Sequence, residues 1–441
     1  MSAVDTTPYA ERLTVRTPVD GPGVLASLRC VMGNDLQSGV RPETLLITVS
    51  GTDRPGVTSA MFETLRRAGV EVVDIEQIVL RRRLVLGILV TAPRDWKKLR
   101  DAVQATAAGL GMGVEVERGT GDNRGRREGR SHVTVIGTPL KASAMAAVAG
   151  RIADSGANID RIERMARYPV TAIDLHVSGV DPERLRTLLS AEAAAQGVDI
   201  AVQPSSLLRR AMRLIVMDVD STLIQGEVIE LLAAHSGHLD RVADVTDRAM
   251  RGELDFEQSL RERVALLRGV PASALDEVYD ELVLAPGART LVRILRRLGY
   301  RFALVSGGFS QITDRLAVDL GIHYSRANEL EIVDGVLTGA IRGPVVDRIG
   351  KAEALRHFAA EVGVPVEAVV AIGDGANDLD MLEIAGLGIA YNAKPLVQEA
   401  ADTTVNVPYL DTILYLLGIS REEIEALDLA HGLVTPAPPV R

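Results

Sequence analysis

Two hydrophobic patterns divide the chain, and they change near its middle. In the second half, the short apolar runs 214–217, 302–305 and 369–372 are typical of buried strands in a parallel sheet. Stretches of helical periodicity separate these runs. This order favours an α/β domain with a doubly wound parallel sheet over residues 210–420. A charged, helical stretch from about 226 to 286 interrupts the order and predicts a small helical cap.

The first half shows a shorter pattern that occurs twice. Residues 44–118 follow the order strand, helix, strand, strand, helix, strand, and residues 132–204 follow the same order with little identity. This is the ferredoxin-like βαββαβ plan, so we expect two small domains ahead of the doubly wound one. The other segments are mostly polar or rich in Gly, Pro or Arg, and they predict two tails and a linker: 1–43, 421–441 and 119–131.

Composition narrows the classes of function. The 441 residues are enough for several domains, and 47% hydrophobic with 24% charged residues is ordinary for a globular protein. A net charge of −10 and only 3% aromatic residues argue against a nucleic-acid binder. No apolar run approaches the length of a membrane helix, and we expect no membrane partner and no signal peptide. The single cysteine, Cys30, excludes an intrachain disulfide and favours a cytoplasmic location.

Two acids follow the first buried strand of the second half. Asp218 and Asp220 lie on the loop at its carboxyl end, where ligands bind in open α/β sheets. Carboxylates this close repel each other unless a cation or a proton lies between them. The pair therefore predicts a divalent-metal site in which one carboxylate attacks and the other transfers protons. A strand-to-helix turn capped by Asp220 or Ser221 is the alternative explanation.

Three further segments favour the chemical explanation. Ser306 and Gly307 follow the next apolar run, and a hydroxyl beside glycine N–H groups can hold a phosphate. Lys351 opens a helix-like segment, from which it can neutralise a phosphoryl group. Residues 373–378 form an acid-rich loop after another strand. Each segment alone also fits an ordinary turn or helix start, so the prediction of a phosphate site depends on all four occurring in this order.

These segments together resemble the motifs of the haloacid dehalogenase (HAD) phosphatase superfamily, and within it the phosphoserine phosphatases, over about residues 210–418. The resemblance implies that Asp218 attacks phosphorus and forms an aspartyl-phosphate. It implies that Asp220 protonates the leaving oxygen and then activates water. It also implies Mg²⁺ as cofactor, held by Asp218, the backbone carbonyl of Asp220 and Asp374, with Asp378 in a second shell.

The same resemblance assigns the phosphate contacts. Ser306, the Gly307 N–H and Lys351 would hold the phosphoryl oxygens, with the N–H groups of Val219 and Asp220 adding to them. Asn377 would contact the phosphate or the polar edge of the substrate.

Substrate choice requires further residues. For O-phospho-L-serine, the family pattern places Glu227 at the ammonium and Arg263 at the carboxylate, which arginine binds bidentately. Met250 and Phe256 match the apolar lid residues of the family. Charged helix residues are usually solvated and a Phe is usually core, so these four are assigned only through their spacing from Asp218.

The loop after the first strand of the N-terminal half resembles that of ACT domains, small regulators that bind amino acids. It reads Gly-Thr-Asp-Arg-Pro-Gly over residues 51–56, which makes Asp53 and Gly56 the candidate effector residues. A plain strand-to-helix connection is the alternative. The second copy lacks the Asp-X-Pro-Gly element and is expected to pair with the first or with another chain. The resemblance therefore implies a homo-oligomer through these domains and an amino-acid effector such as L-serine.

The sequence predicts a phosphoserine phosphatase that performs the last step of L-serine synthesis. Two alternatives remain open. One is a HAD phosphatase or phosphotransferase for another small phosphate ester, and the other is an amino-acid-sensing regulator with an inactive phosphatase domain.

Overall fold

The computed structural model describes residues 42–121, 129–206 and 212–436. The chain divides into two compact units, one ending at Arg126 and the other beginning at Arg127. Most of the expected N-terminal tail, the middle of the linker and the end of the C-terminal tail lie outside the described residues. Among the described helices, none combines the length and apolar character needed to cross a membrane.

The first unit is a four-stranded sheet in the order β2-β3-β1-β4, packed against two helices. Leu45, Ile47 and Val49 alternate along β1 and share one buried core with Met61 and Leu65 of α1. The predicted βαββαβ order is confirmed. The elements are β1 (Glu43–Thr52), α1 (Val57–Ala68), β2 (Val72–Leu80), β3 (Arg83–Thr91), α2 (Trp96–Gly109) and β4 (Gly113–Thr120).

The second unit begins with a copy of the same plan. Val133 and Val135 on one strand and Leu175 and Val177 on its neighbour form a core with two helices. The elements are β5 (Ser131–Gly137), α3 (Ala142–Asp154), β6 (Asn158–Ala166), β7 (Thr171–Ser178), α4 (Pro182–Gln196) and β8 (Asp199–Pro204).

The doubly wound domain follows. Its strands are β9 (Leu214–Met217), β10 (Arg301–Phe309), β11 (Tyr324–Val333), β12 (Val336–Arg342), β13 (Val369–Gly373), β14 (Leu387–Tyr391) and β15 (Thr403–Val405). The helices α5–α8 lie between β9 and β10, where the cap is predicted: α5 (Val228–His235), α6 (Leu239–Met250), α7 (Phe256–Ala265) and α8 (Ala274–Glu281). The remaining helices are α9 (Ala288–Arg297), α10 (Ser310–Leu320), α11 (Arg348–Val362), α12 (Leu379–Ile384), α13 (Pro395–Ala400), α14 (Ile413–Leu416) and α15 (Arg421–Ala430).

A single sheet of 11 strands runs through the second unit. Strands β11, β10, β9, β13, β14 and β15 are parallel neighbours in that order, and β9 lies between β10 and β13. Beyond β15 the sheet continues into β8 of the ferredoxin-like domain, through the antiparallel pair Thr403 and Ala201. The sequence predicts two separate sheets here, and the structure joins them because the edge strands β15 and β8 pair.

The prediction of a C-terminal tail over residues 421–441 is wrong for the first part of that range. Residues Arg421–Ala430 form α15, and Asp428 on it is fully buried. Its carboxylate lies 2.7 Å from Arg293 Nη2 and 3.0 Å from Arg297 Nη1, both on α9. The helix is therefore held to the domain by buried ion pairs, which the Pro-rich composition of the terminus does not indicate.

Candidate active site

Strand β9 places the two motif acids at the carboxyl edge of the sheet. Its residues alternate between the two hydrophobic cores, Ile215 and Met217 on one face and Leu214 and Val216 on the other. The chain leaves the sheet at Asp218, whose backbone N–H still donates to the carbonyl oxygen of Ile372 at 2.9 Å. The carboxylate of Asp218 is therefore fixed beside the end of β13.

Three carboxylates and one amine form the centre of the site. One oxygen each of Asp218, Asp374 and Asp378 lies within 4.8 Å of the other two. The fully buried Nζ of Lys351 lies 2.9 Å from Asp218 Oδ1 and 2.7 Å from Asp378 Oδ1. The structure therefore brings together residues from three segments that are far apart in sequence. It puts Asp378 in direct contact with Lys351, and the place of Asp378 behind the metal ligands stays a prediction.

Lys351 reaches this position from the first turn of α11. The helix begins at Arg348, not at Lys351 as the sequence suggested, because the side chain of Asp347 caps it by accepting the N–H of Gly350 at 2.8 Å. Burial opposes the charge of Lys351, but the charges of Asp218 and Asp378 outweigh it and raise the pKa of the amine. Lys351 therefore remains a cation in the centre of the site.

The carboxylates carry more negative charge than one lysine can balance. Burial, and then the charge of Asp378, raises the pKa of Asp218 well above its usual range. Burial also raises the pKa of Asp374 to about 6. A raised pKa means that the ionised form of these carboxylates is destabilised, and an added cation would stabilise that form.

The donor set fits a divalent metal. Every ligand atom that Asp218, Asp374 and Asp378 offer is a carboxylate oxygen, which hard divalent cations prefer. Thr222 Oγ1 donates to Asp374 Oδ1 at 2.7 Å, and the N–H groups of Asp374 and Gly375 donate to Asp378 Oδ2 at 3.1 and 3.0 Å. These bonds orient two of the three acids.

Asp220 occupies a different environment. Its Oδ1 accepts the N–H of Val228 at 2.8 Å, and its Oδ2 accepts Ser306 Oγ–H at 3.2 Å. Burial raises the pKa of Asp220, which favours the protonated carboxyl. Gly308 must lack a side chain here, because a Cβ on it would lie 2.6 Å from Asp220 Oδ2. Asp220 is thus held by contacts of its own, outside the carboxylate cluster.

A cavity of about 370 Å³ opens above these residues. Glu227 and Arg263 line it, and Arg263 Nη1 lies 3.5 Å from Glu227 Oε2. Arg263 Nε is buried without a hydrogen-bond partner among the described residues. The residues predicted from sequence that also line it are Asp218, Asp220, Phe256, Gly307, Asp374 and Asn377. One acid and one base, with an unsatisfied donor, thus face the same small space as the aspartates.

Some predicted residues lie elsewhere or outside the description. Met250 ends α6, and its side chain lies outside the described residues. Ser306 and Lys351 are fully buried behind the cavity wall and reach it through Asp220 and Asp218. In the first unit, Gly56 precedes α1 with a left-handed φ of 95°, a conformation that favours glycine.

Two contributing residues have no role in the sequence prediction. Thr222 belongs to the motif after Asp220, and its hydroxyl orients Asp374. Lys394 lines the cavity from the loop after β14. That loop could have been found, because β14 is the next parallel strand after β13 and its carboxyl end reaches the same edge of the sheet.

Comparison with known proteins gives the family. The model for haloacid dehalogenase-like hydrolases matches residues 215–383, and models for ACT domains match residues 43–117 and 130–203. A phosphoserine phosphatase from Streptomyces coelicolor is 62% identical over 387 residues, which are 87% of this chain and 94% of that protein. The chain belongs to the phosphoserine phosphatase family. Both sequence resemblances, to HAD phosphatases and to ACT domains, are confirmed.

Further relatives agree with membership of this family. The phosphoserine phosphatase SerB2 of Mycobacterium tuberculosis is 53% identical over 391 residues, which are 87% of this chain and 95% of that protein. A solved HAD family hydrolase from Salmonella enterica serovar Typhi matches with a TM-score of 0.58 and 29% identity, over 65% of this chain and 98% of the other. A probable phosphoserine phosphatase from Vibrio cholerae matches with a TM-score of 0.52 and 35% identity, over 65% and 86%.

Proposed function

We propose that this chain hydrolyses O-phospho-L-serine to L-serine and phosphate, the last step of L-serine synthesis. The main support is the cavity, because Asp218 and Asp220 line it together with Glu227 and Arg263. Its volume of about 370 Å³ suits a small metabolite. A phosphoserine carries a phosphate, an ammonium and a carboxylate, and the wall offers a counterpart for each.

The first step forms a covalent intermediate. A carboxylate oxygen of Asp218 attacks phosphorus, the bond from phosphorus to the serine oxygen breaks, and Asp220 gives its proton to that oxygen. Burial raises the pKa of Asp220, which favours the protonated form that this step needs. Ser306 and the Gly307 N–H remain the predicted contacts of the phosphoryl oxygens, and Gly307 lines the cavity.

The second step releases phosphate. Asp220, now ionised, accepts a proton from a water molecule as that water attacks the aspartyl-phosphate. The bond from phosphorus to the Asp218 oxygen breaks, which restores the carboxylate. One residue thus serves as acid and then as base. Hydrogen bonds from Val228 N–H and Ser306 Oγ–H hold its carboxyl group in one position for both steps.

We further propose that the divalent metal is Mg²⁺. Asp218 and Asp374 would hold it, with Asp378 just behind them to orient the waters, since the set is made only of hard oxygen donors. When bound, it would stabilise negative charge on the phosphoryl oxygens. The backbone carbonyl of Asp220 remains the predicted further ligand.

The substrate assignment is tested with two matched analogues. 3-Phosphoglycerate has a hydroxyl in place of the ammonium, and phosphoethanolamine lacks the carboxylate. We expect kcat/KM for each to fall by roughly 10–150-fold, since a charged hydrogen bond contributes about 1.5–3 kcal/mol. Glu227→Gln should reduce the difference in kcat/KM between phosphoserine and 3-phosphoglycerate alone. Arg263→Leu should reduce the difference between phosphoserine and phosphoethanolamine alone. Equal rates on all three substrates would contradict the assignment.

We also propose that the ACT domains bind an amino acid such as L-serine and join chains into a homo-oligomer. Amino-acid binding is supported by the turn at Gly56, which lies beside the exposed Asp53. Assembly is supported by β2, an edge strand of the first unit whose Ile78 and Leu80 are 55% and 67% exposed. Calorimetric titration of L-serine into the full chain and into Asp53→Ala tests the effector, and light scattering tests the assembly. The cytoplasmic location stays a prediction.

A further inference from the structure

A second cluster of metal-ligating side chains lies on the sheet of the second ACT domain. One ligand atom each of His132, Asp174 and His176 lies within 4.8 Å of the other two. His132 on β5 pairs directly with His176 on β7. This cluster is built on β5 and β7, whereas the catalytic aspartates are on the loops after β9 and β13.

The sheet register explains why the three residues meet. Val133 and Val135 alternate with His132 and Thr134 along β5, and the valines face the helices of the domain. The histidines and Asp174 therefore occupy the opposite face of the sheet. Asp174 is only 2% exposed, whereas the two imidazoles are partly open to solvent. The Asp174 carboxyl group on this face of the sheet is thus buried beneath two imidazoles.

The distances approach those of a tetrahedral site. His132 Nδ1 and His176 Nε2 lie 2.8 and 3.5 Å from the same Asp174 oxygen, Oδ2. Ligand bonds of about 2.0–2.1 Å at tetrahedral angles put ligand atoms roughly 3.3 Å apart. Glu163 Oε2 lies 3.8 Å from His176 Nε2 and offers a further donor, while its other oxygen pairs with Arg161 at 2.8 Å. Small side-chain shifts would therefore complete a site of two imidazoles and one or two carboxylates.

Two features beyond the cluster point to a ligand. His176 Nε2 is buried and has no hydrogen-bond partner among the described residues. Thr134 Oγ1 donates to the other oxygen of Asp174, Oδ1, at 3.0 Å. A partner of that kind orients a ligating carboxylate.

We propose that His132, Asp174 and His176 bind a divalent cation of the zinc class, separate from the catalytic metal. Imidazole nitrogen suits borderline ions such as Zn²⁺ and Co²⁺, whereas the all-oxygen catalytic cluster suits Mg²⁺. Coordination through His132 Nδ1 requires the tautomer that carries its proton on Nε2. That nitrogen lies 3.5 Å from Ser205 Oγ, which can accept it in a hydrogen bond. The ion would tie β5 to β7.

The test uses the full chain in a large excess of Mg²⁺, which occupies the catalytic aspartates. Equilibrium dialysis against Zn²⁺, followed by metal analysis, should find about one Zn²⁺ per chain. The double variant His132→Gln/His176→Gln should bind it at least about 100-fold more weakly, because losing ligands exceeds the 10–100-fold cost of losing an outer partner. Thr134→Val should bind it about 10–100-fold more weakly with every ligand retained.

The matched control is His357→Gln, because His357 is an exposed histidine with Glu361 3.7 Å away on α11. It should bind Zn²⁺ as the wild type does. The single variant His176→Gln, at a partly exposed position, serves if the double variant unfolds in urea more easily than the wild type. Co²⁺ should give visible absorption bands that only the cluster variants lose. Zn²⁺ bound equally by wild type and cluster variants, or not bound by the wild type, would overturn the proposal.

Discussion

Replacing Lys351 with Met removes the only amine in contact with two buried carboxylates among the described residues. Its Nζ lies 2.9 Å from Asp218 Oδ1 and 2.7 Å from Asp378 Oδ1, and none of the side chain is exposed. Each contact represents about 6 kcal/mol of Coulomb energy at an effective dielectric constant of about 20. Much of this attraction offsets the cost of burying the charges.

The net loss is limited because a stranded carboxylate can take a proton. With an ordinary pKa near 3.9, protonation at pH 7 costs about 4 kcal/mol. Removal of one partner of a buried ion pair typically costs about 3–5 kcal/mol, in agreement with this limit. We therefore expect Lys351→Met to lower the free energy of unfolding at pH 7 by about 3–5 kcal/mol without metal.

The sign of the pH dependence follows from the same reasoning. In the variant the folded protein holds a proton on Asp218 that the unfolded chain has released, so its stability falls as pH rises above about 4. Below about pH 4 both states are protonated, and the difference from the wild type should nearly vanish. Added Mg²⁺ should also reduce the difference at pH 7, because it replaces part of the missing positive charge.

Urea unfolding at pH 4 and pH 7, with and without Mg²⁺, measures these effects. Lys394→Met is the matched control, because Lys394 lines the same cavity but is exposed, and its loss should change the free energy of unfolding by less than about 0.5 kcal/mol. If Lys351→Met unfolds at the same urea concentration as Lys394→Met at pH 7, the ion pairs of Lys351 with Asp218 and Asp378 do not stabilise the folded protein.

Three further predictions concern the acid, the substrate base and the packing. Burial raises the pKa of Asp220, so kcat/KM should fall as pH rises through that pKa, because the acid loses its proton. A kcat/KM that stays constant towards alkaline pH would exclude Asp220 as the acid. Arg263→Lys should raise KM for phosphoserine by about 10–100-fold with less change in kcat, because lysine cannot bind a carboxylate bidentately; an unchanged KM in steady-state assays would remove Arg263 from the substrate site. Gly373→Ala should destabilise the domain by about 1–3 kcal/mol in urea unfolding, because a Cβ at that position would lie 2.4 Å from Asp378 Cγ; wild-type stability would show that the loop can shift freely.

The sequence predicts the catalytic edge well because one physical rule governs it. Strands β9, β10 and β13 are parallel neighbours, so Asp218 and Asp374, which follow β9 and β13, lie at the same edge of the sheet as Ser306 in the second half of β10. Short branched apolar runs identify those strands without any knowledge of their partners.

Features that depend on pairing between distant segments were not predicted. The union of β8 with β15 and the burial of Asp428 against α9 both depend on which surfaces pack together. The cluster of His132 and Asp174 depends on strand register across 42 residues. Hydrophobic periodicity indicates that an element exists, but it does not say which edge or face of another element will cover it.

Phosphate release from O-phospho-L-serine by the wild type and Asp218→Asn, with Mg²⁺, tests the central claim most directly. We predict rapid release by the wild type and a loss of at least about 1000-fold in the variant, because removal of a catalytic nucleophile typically costs this much or more. Acid quenching followed by peptide mass analysis should find the phosphoryl group on Asp218 of the wild type alone. Release that persists in Asp218→Asn, or no release from phosphoserine by the folded wild type, would contradict the account.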